Sequence, residues 1–196
     1  MDSFPAYFPL AGRRVVIVGS TDAADGKARL FDGSPAQIVR IDDGRALDPD
    51  TYRGAVLVFI ASEDEAFDAA AAQAAREAGV PVNVVDRPAL CDFFTPALVD
   101  RGEVVAAVGT GGASPVLAQM LKEEIASRVP EGAGRVAALL RQFRDETRKA
   151  FPDMQQRAVF MRGVLTGPAA QAALDGDMEQ ARALLREALG AAAEND

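Results

Sequence analysis

Apolar residues crowd into short, dense runs over the first half of this chain and recur at helical spacing over the second. VVIVG (Val15 to Gly19), AVLVFIA (Ala55 to Ala61) and VPVNVVD (Val80 to Asp86) are β-branched runs of the kind that form strands buried in a sheet. Residues 36–43, AQIVRIDD, add another strand after the first, ending in Asp42 and Asp43. Between the last two, Ser62 to Gly79 predicts a helix, with Ser62 at its cap, Glu65 three residues on and Gly79 at its stop. The alanine-rich body of that helix suits close packing on a sheet. Strand and helix so alternate through the first ninety-odd residues, which predicts an α/β domain with a doubly wound parallel sheet. Ligands of such sheets bind outside the carboxyl ends of the strands. That edge holds Gly19, Asp42, Ala61, Ser62 and Asp86. Ahead of the sheet, residues 4–12 (FPAYFPLAG) carry two prolines and three aromatics and predict an extended arm packed on the core.

The pattern changes after residue 95. Residues 96–112 alternate and turn without a crossover helix, with a strand at Val104 to Val108 and a glycine-rich turn at Gly109 to Gly112. Ser114 to Val129 predicts an amphipathic helix, with Pro115 tolerated in its first turn. From Pro130 the chain reads as helical: Gly134 to Phe151, Pro152 to Leu165, and about Asp177 to Leu189. Met154, Phe160 and Met161 read as helix core, Cys91 as a small buried side chain, and the tail AAAEND as a frayed end.

Composition narrows the chemistry. With 196 residues, 49% hydrophobic and 26% charged, the chain supports one large or two small globular cores. A net charge of −8 and the lack of any Lys/Arg run argue against a nucleic-acid partner. No apolar segment reaches the roughly 18 residues needed to span a bilayer. The start MDSFPAYFPLAGRR has neither a basic leader nor a long apolar core, so the expectation is a cytoplasmic protein away from membranes. One cysteine excludes an intrachain disulfide and a multi-cysteine metal site, and no metal-ligating set is predicted. There is no histidine, so proton transfer falls to carboxylates.

Two stretches carry candidate chemistry. In Gly19 to Phe31 (GSTDAADGKARLF), Gly19 and Ala24 hold the first and third places of the dinucleotide fingerprint G-x-G-x-x-G/A, while Thr21 stands at the middle glycine. A Cβ there narrows the approach to a pyrophosphate. The same residues read equally as a plain strand-to-helix turn capped by Thr21 or Asp22. Asp42, about 20 residues further on, suits a ribose 2′-hydroxyl, or equally a solvated turn before Gly44. The second stretch is residues 83–120, where Asp86 ends a strand and the Thr110-Gly111-Gly112 turn opens a helix at Ser114-Pro115. A carboxylate beside exposed backbone N–H donors suits a large polyanion. For Asp86 the alternative is a turn cap at a strand end.

Residues 83–120 resemble the siroheme-synthase N-terminal module, the precorrin-2 dehydrogenase / sirohydrochlorin ferrochelatase family. The matching pieces are N-V-V-D at 83–86, C-D-F-F-T-P-A at 91–97, V-D-R-G at 99–102 and, most specific, T-G-G-A-S-P-V-L-A at 110–118. The run P-x-x-F-x-L-x-x-R-x-V-x-I-V-G from Pro5 to Gly19 and K-A-R-L at Lys27 to Leu30 also resemble that family. The resemblance implies a Rossmann-like NAD-binding domain at 1–95, a small dimerisation region at 96–128 and a C-terminal helical domain at 129–196, assembled as a homodimer. It implies NAD-dependent oxidation of precorrin-2 to sirohydrochlorin, with Fe²⁺ as a chelation substrate in making siroheme. Asp86 then falls at the catalytic position. Asn83, Thr110, Gly111, Gly112 and Ser114 fall by the tetrapyrrole, and Gly19, Ser20, Thr21, Asp22, Ala23, Ala24, Asp42 and Ser62 by the cofactor. Precorrin-2 has eight carboxylates, for which Arg101 and Arg135 are natural anchors. Two departures fall on the cofactor half: V-G-S-T-D-A-A-D-G-K replaces the family's V-G-G-G-x-V-A-x-R-K, and the segment from Leu30 to Ala55 is shorter. They leave an alternative, a tetrapyrrole-binding or chelatase-only paralogue that has lost NAD.

Overall fold

The computed structural model describes residues 3–193, with side chains described to residue 191. It divides into two compact units, residues 1–95 and 96–196, each considered by itself.

The first unit is built on a four-stranded parallel sheet: β1 (Arg14–Val18), β2 (Gln37–Ile41), β3 (Ala55–Ile60) and β4 (Val82–Val84), in the order β2-β1-β3-β4. β1 is central, paired Val18 to Ile41 on one side and Val18 to Ile60 on the other, while Ile60 of β3 pairs with Val84. The carboxyl ends therefore finish level, and chain order reverses between β1 and β3 at a topological switch point. β1 is buried from Val15 onward because helices cover both faces. On one face α2 (Glu65–Glu77) lays Ala71, Ala72 and Ala75 against Val16, Val58 and Ile60. On the other, beside α1 (Asp22–Arg29), Phe59 packs edge-on to Phe31 and Phe93 at centroid distances of 5.7 and 5.3 Å. Tyr52, fully buried, donates to the Ala46 carbonyl at 2.6 Å and closes the connection from β2 to β3.

The second unit begins with an antiparallel hairpin, β5 (Ala97–Arg101) and β6 (Val104–Val108), followed by α3 (Pro115–Arg128). Then come α4 (Ala133–Gln142), α5 (Arg144–Ala150), α6 (Met154–Thr166), α7 (Pro168–Asp175) and α8 (Met178–Ala193). Its core is Val136, Leu139, Phe143, Val164, Ala170, Ala173, Ala181 and Leu185.

Several expectations change. The N-terminal arm does not bury its aromatics: Phe4, Tyr7 and Phe8 are exposed, and only Leu10 joins the core. The helix expected from Ser62 is capped instead by Asp64, whose carboxylate accepts from the Ala66 and Phe67 N–H groups, because the Ser62 hydroxyl is engaged elsewhere. Of the apolar residues on α3 only Ala118 is buried, so that helix spends little of its apolar surface inside its own unit. The helix expected over Gly134 to Phe151 is interrupted at Phe143, and α7 adds a helix between the last two expected ones. Met154 is exposed rather than core, while Phe160 is half-buried and stacks on Phe151 at 4.6 Å. Of the tail expected to fray, α8 continues through Ala193, and residues 194–196 lie outside the described residues.

Candidate functional site

At the switch point the chain is held very close to itself. Gly19, at φ +109°, follows β1, and a Cβ there would lie 2.2 Å from the Ala61 carbonyl oxygen, so only glycine fits. Its N–H donates to the Ile41 carbonyl at 2.7 Å. Thr21 then caps α1: its hydroxyl accepts from the Ala24 N–H at 3.2 Å and donates to the Ala61 carbonyl at 2.8 Å. The residue in the place of a fingerprint glycine is thus a cap and a strut to β3. Arg40 completes the turn, donating to the Gly19 carbonyl at 3.3 Å and pairing with Asp25 at 2.6 Å.

An open cleft of about 360 Å³ lies at this edge, lined by Thr21, Ala23, Ala61, Glu63, Asp68, Val85, Asp86 and Arg87. Among the described residues only two non-glycine residues have positive φ, Glu63 at 70° and Asp86 at 57°, and both line it. A left-handed backbone costs an ordinary L-residue about 1–2 kcal/mol, and such strain concentrates where function requires it. The Asp86 carboxylate is exposed and accepts no hydrogen bond among the described residues. Behind it lies a network. Asp68, buried, accepts from the Ser62 N–H at 3.1 Å and from the Ser62 hydroxyl at 2.6 Å. Arg87 reaches Asp68 at 3.6 Å and Glu65 at 2.9 Å. Lys27, held over the Phe59 ring and donating to the Thr95 hydroxyl at 3.1 Å, lies close enough to Asp86 to feel its charge. Burial is the main influence on that ammonium and moves its pKa down; the charges of Cys91 and Asp86 oppose it.

Of the residues expected here, Thr21, Ala23 and Asp86 come together in the cleft. Ser20, Asp22 and Asp42 are exposed along the same edge, Ala24 is buried under α1, and Ser62 is bound to Asp68. Asn83 is buried: its amide donates to the Phe93 carbonyl at 2.9 Å, and its Oδ1 is unpaired. Sequence reasoning missed Asp68, Glu63 and Arg87.

In the second unit Gly111 and Gly112 take φ of 61° and 82°, which gives the turn its tightness. The Thr110 hydroxyl donates to the Ser114 carbonyl at 3.1 Å and accepts from the Ser114 N–H at 3.3 Å, while the Ser114 hydroxyl caps α3 at Leu117. Both hydroxyls thus shape the turn, leaving the Gly111 and Gly112 N–H groups as its donors without a partner among the described residues. Arg101 and Arg135, expected as anchors, are committed within the unit. Arg101 pairs with Glu131 at 2.8 Å, and Arg135 donates to the Ala173 and Leu174 carbonyls.

Comparison with known proteins places these features in a lineage. Residues 6–97 match a family model described as putative NAD(P)-binding, and residues 132–189 match the sirohaem synthase dimerisation region. The siroheme synthase of Azotobacter vinelandii (strain DJ / ATCC BAA-1303) is 39% identical over 98% of this chain and 46% of its own length. The chain is thus similar along almost its whole length to siroheme synthases. That of Methylococcus capsulatus (strain ATCC 33009 / NCIMB 11132 / Bath) is 40% identical over all of this chain and 45% of its own. The chain therefore spans about half the length of the curated siroheme synthases it matches. Among solved structures, SirC, precorrin-2 dehydrogenase, superposes with a TM-score of 0.72 over 95% of this chain and 98% of its own, at 16% identity, a likeness of fold.

Proposed function

We propose that this chain catalyses the NAD-dependent oxidation of precorrin-2 to sirohydrochlorin in siroheme biosynthesis, with Asp86 as the base. The supporting observation is the strained Asp86 carboxylate, which lies beside the Thr21 turn and accepts no hydrogen bond among the described residues. Oxidation removes a hydride and a proton from the reduced macrocycle, and NAD⁺ supplies the hydride acceptor. The proton goes to an Asp86 carboxylate oxygen, which has no competing internal donor. Part of the first unit fits the nucleotide: the glycine-tight end of β1 leaves the Asp22 and Ala23 N–H groups at the start of α1 for a pyrophosphate, and Asp42 follows β2 where a ribose hydroxyl would fall. Within the second unit, the Gly111 and Gly112 N–H groups are suited to donate to a carboxylate. The same carboxylate base would serve Fe²⁺ chelation, in which the metal is a substrate and two pyrrole protons are lost.

Homodimerisation is part of the proposal. Val116, Leu117, Met120 and Leu121 form an exposed apolar stripe on α3, the sort of surface that a second copy covers. Among the described residues no helix is long and apolar enough to cross a membrane; a cytoplasmic location is proposed from the pathway assigned.

Anaerobic assay with precorrin-2 and NAD⁺, following sirohydrochlorin absorbance, tests the activity. Turnover by the wild type and its loss in Asp86→Asn are expected; full turnover in the variant overturns the role of Asp86. One observation favours a non-redox reading: the Thr21 side chain occupies the place of the glycine that admits a pyrophosphate. Calorimetry separates the two readings. Micromolar NAD⁺ binding rejects the non-redox version, and tetrapyrrole binding without NAD⁺ binding rejects the dehydrogenase.

A further inference from the structure

The second unit contains a cleft of about 350 Å³ that the activity proposed above does not use. Arg144 and Arg148 of α5, Met154, Arg157, Ala158 and Met161 of α6 line it. Its volume is in the range of small-molecule sites, about 300–1,000 Å³. Arg144 and Arg148 stand four residues apart and share one helix face. Neither guanidinium has a hydrogen-bond or ion-pair partner among the described residues, although the chain carries 29 acidic groups against 21 basic ones. Arg157 is anchored on the Phe151 carbonyl at 3.0 Å. Asp153 is the carboxylate that feels the Arg157 charge, and it is already committed, accepting from the Gln155 and Gln156 N–H groups as the cap of α6. Those bonds, from the Gln156 N–H above all, hold its pKa below the usual carboxylate range. Three cations thus meet at one concavity in a protein of net charge −8, with two thioethers and a methyl group as the rest of the wall.

We propose that this cleft binds a flat, multiply charged organic carboxylate. Planar guanidinium forks take carboxylates two bonds at a time, and methionine sulfur and methyl groups pack well against the face of an unsaturated ring. A bare inorganic anion would use the first feature and waste the second. The site stands independently of the precorrin-2 assignment, since it involves neither Asp86 nor the Thr110 turn.

The probe is benzene-1,3,5-tricarboxylate, read by methyl NMR of the protein labelled with ¹³C-methyl methionine. Met154 and Met161 line the cleft, and Met120 and Met178 do not, so they report the rest of the unit. Titration is expected to shift Met154 and Met161 and to leave Met120 and Met178 in place, with pyrophosphate producing much smaller shifts at equal concentration. Arg144→Gln/Arg148→Gln is expected to weaken binding by at least about tenfold through lost charge-assisted bonds. The charge-matched variant Arg141→Gln/Arg182→Gln, outside the cleft, is expected to bind as the wild type does. Unmoved Met120 and Met178 signals in the variants show that they are folded. The proposal is overturned if the tricarboxylate leaves Met154 and Met161 unshifted, or if both double variants weaken binding equally. It is also overturned if pyrophosphate binds as well as the tricarboxylate, or if dilution alone moves the two signals and a second copy of the chain is the occupant.

Discussion

Asp86 offers the sharpest test, because its stability role and its chemical role predict different patterns across the same variants. Its backbone sits at φ +57°, its side chain is exposed, and it accepts no hydrogen bond among the described residues. Removing the carboxylate therefore strands no partner. The left-handed conformation costs about 1–2 kcal/mol for an ordinary L-residue, less for Asp and Asn, and nothing for glycine. Against this, glycine gives the unfolded chain about 0.5–1 kcal/mol more conformational entropy to lose. Asp86→Gly should then be neutral or up to about 1 kcal/mol more stable, and Asp86→Asn within about 0.5 kcal/mol of wild type. Asp86→Ala, without a polar side chain to support the conformation, should lose about 0.5–1 kcal/mol. Turnover should not follow that order: all three lose the base, worth about a hundred- to ten-thousandfold, whatever their stability. Urea denaturation gives the first order and anaerobic precorrin-2 oxidation the second. A loss above about 1.5 kcal/mol in Asp86→Gly would refute the reasoning, since the carboxylate would then be holding the turn. Wild-type turnover in Asp86→Asn would refute it from the other side.

Asp68→Ala removes the acceptor of two Ser62 bonds and leaves Arg87 with the exposed Glu65, and should cost about 3 kcal/mol by urea denaturation. Thr21→Gly removes a helix cap and the strut to Ala61, so a loss of about 1–2 kcal/mol is expected. If the Thr21 Cβ is what narrows the nucleotide turn, calorimetry should show that variant binding NAD⁺ more tightly. Burial pushes the Tyr52 pKa far above its ordinary value. In the unfolded chain that hydroxyl ionises near pH 10, while the folded chain keeps its proton. The stabilisation is thus complete below about pH 10 and declines as pH rises above it. Lys27, with its pKa lowered, works in the opposite sense over the alkaline range, so the measurement is the difference in urea midpoint between wild type and Tyr52→Phe. That difference should shrink above pH 10, and a constant difference would count against the argument.

Much of the first unit could be read in the chain because its signals are local. Continuous β-branched runs predict the strands, and with them a carboxyl edge that holds Gly19, Asp42, Ala61, Ser62 and Asp86; the level strand ends bear out that shared edge. Thr21 as a cap was one of two readings of the fingerprint turn; the Ala24 N–H bond to its hydroxyl decides for a cap at Thr21 over one at Asp22, and the bond from the same hydroxyl to the Ala61 carbonyl makes it a strut as well. That strut joins residues 40 apart, a separation at which spacing carries no information.

Asp68 was overlooked although a signal existed. It lies three, four and seven residues before Ala71, Ala72 and Ala75, on the helix face that meets the sheet. A lone carboxylate on an apolar stripe needs a buried partner, and the preceding serine together with Arg87 supplies it. The second unit was less legible for a different reason. Helical spacing of apolar residues looks the same whether the stripe faces a core or an uncovered surface, so Met154 reads as helix core and is exposed, and α3, read as amphipathic, buries only Ala118 of its apolar residues. The arginines show the complementary ambiguity. Arg101 and Arg135 looked free and are bound to carbonyls and a glutamate, whereas Arg144 and Arg148, which drew no notice, lack such partners. A charge becomes a candidate for binding when nothing in the fold answers it, and that depends on neighbours far away in the chain.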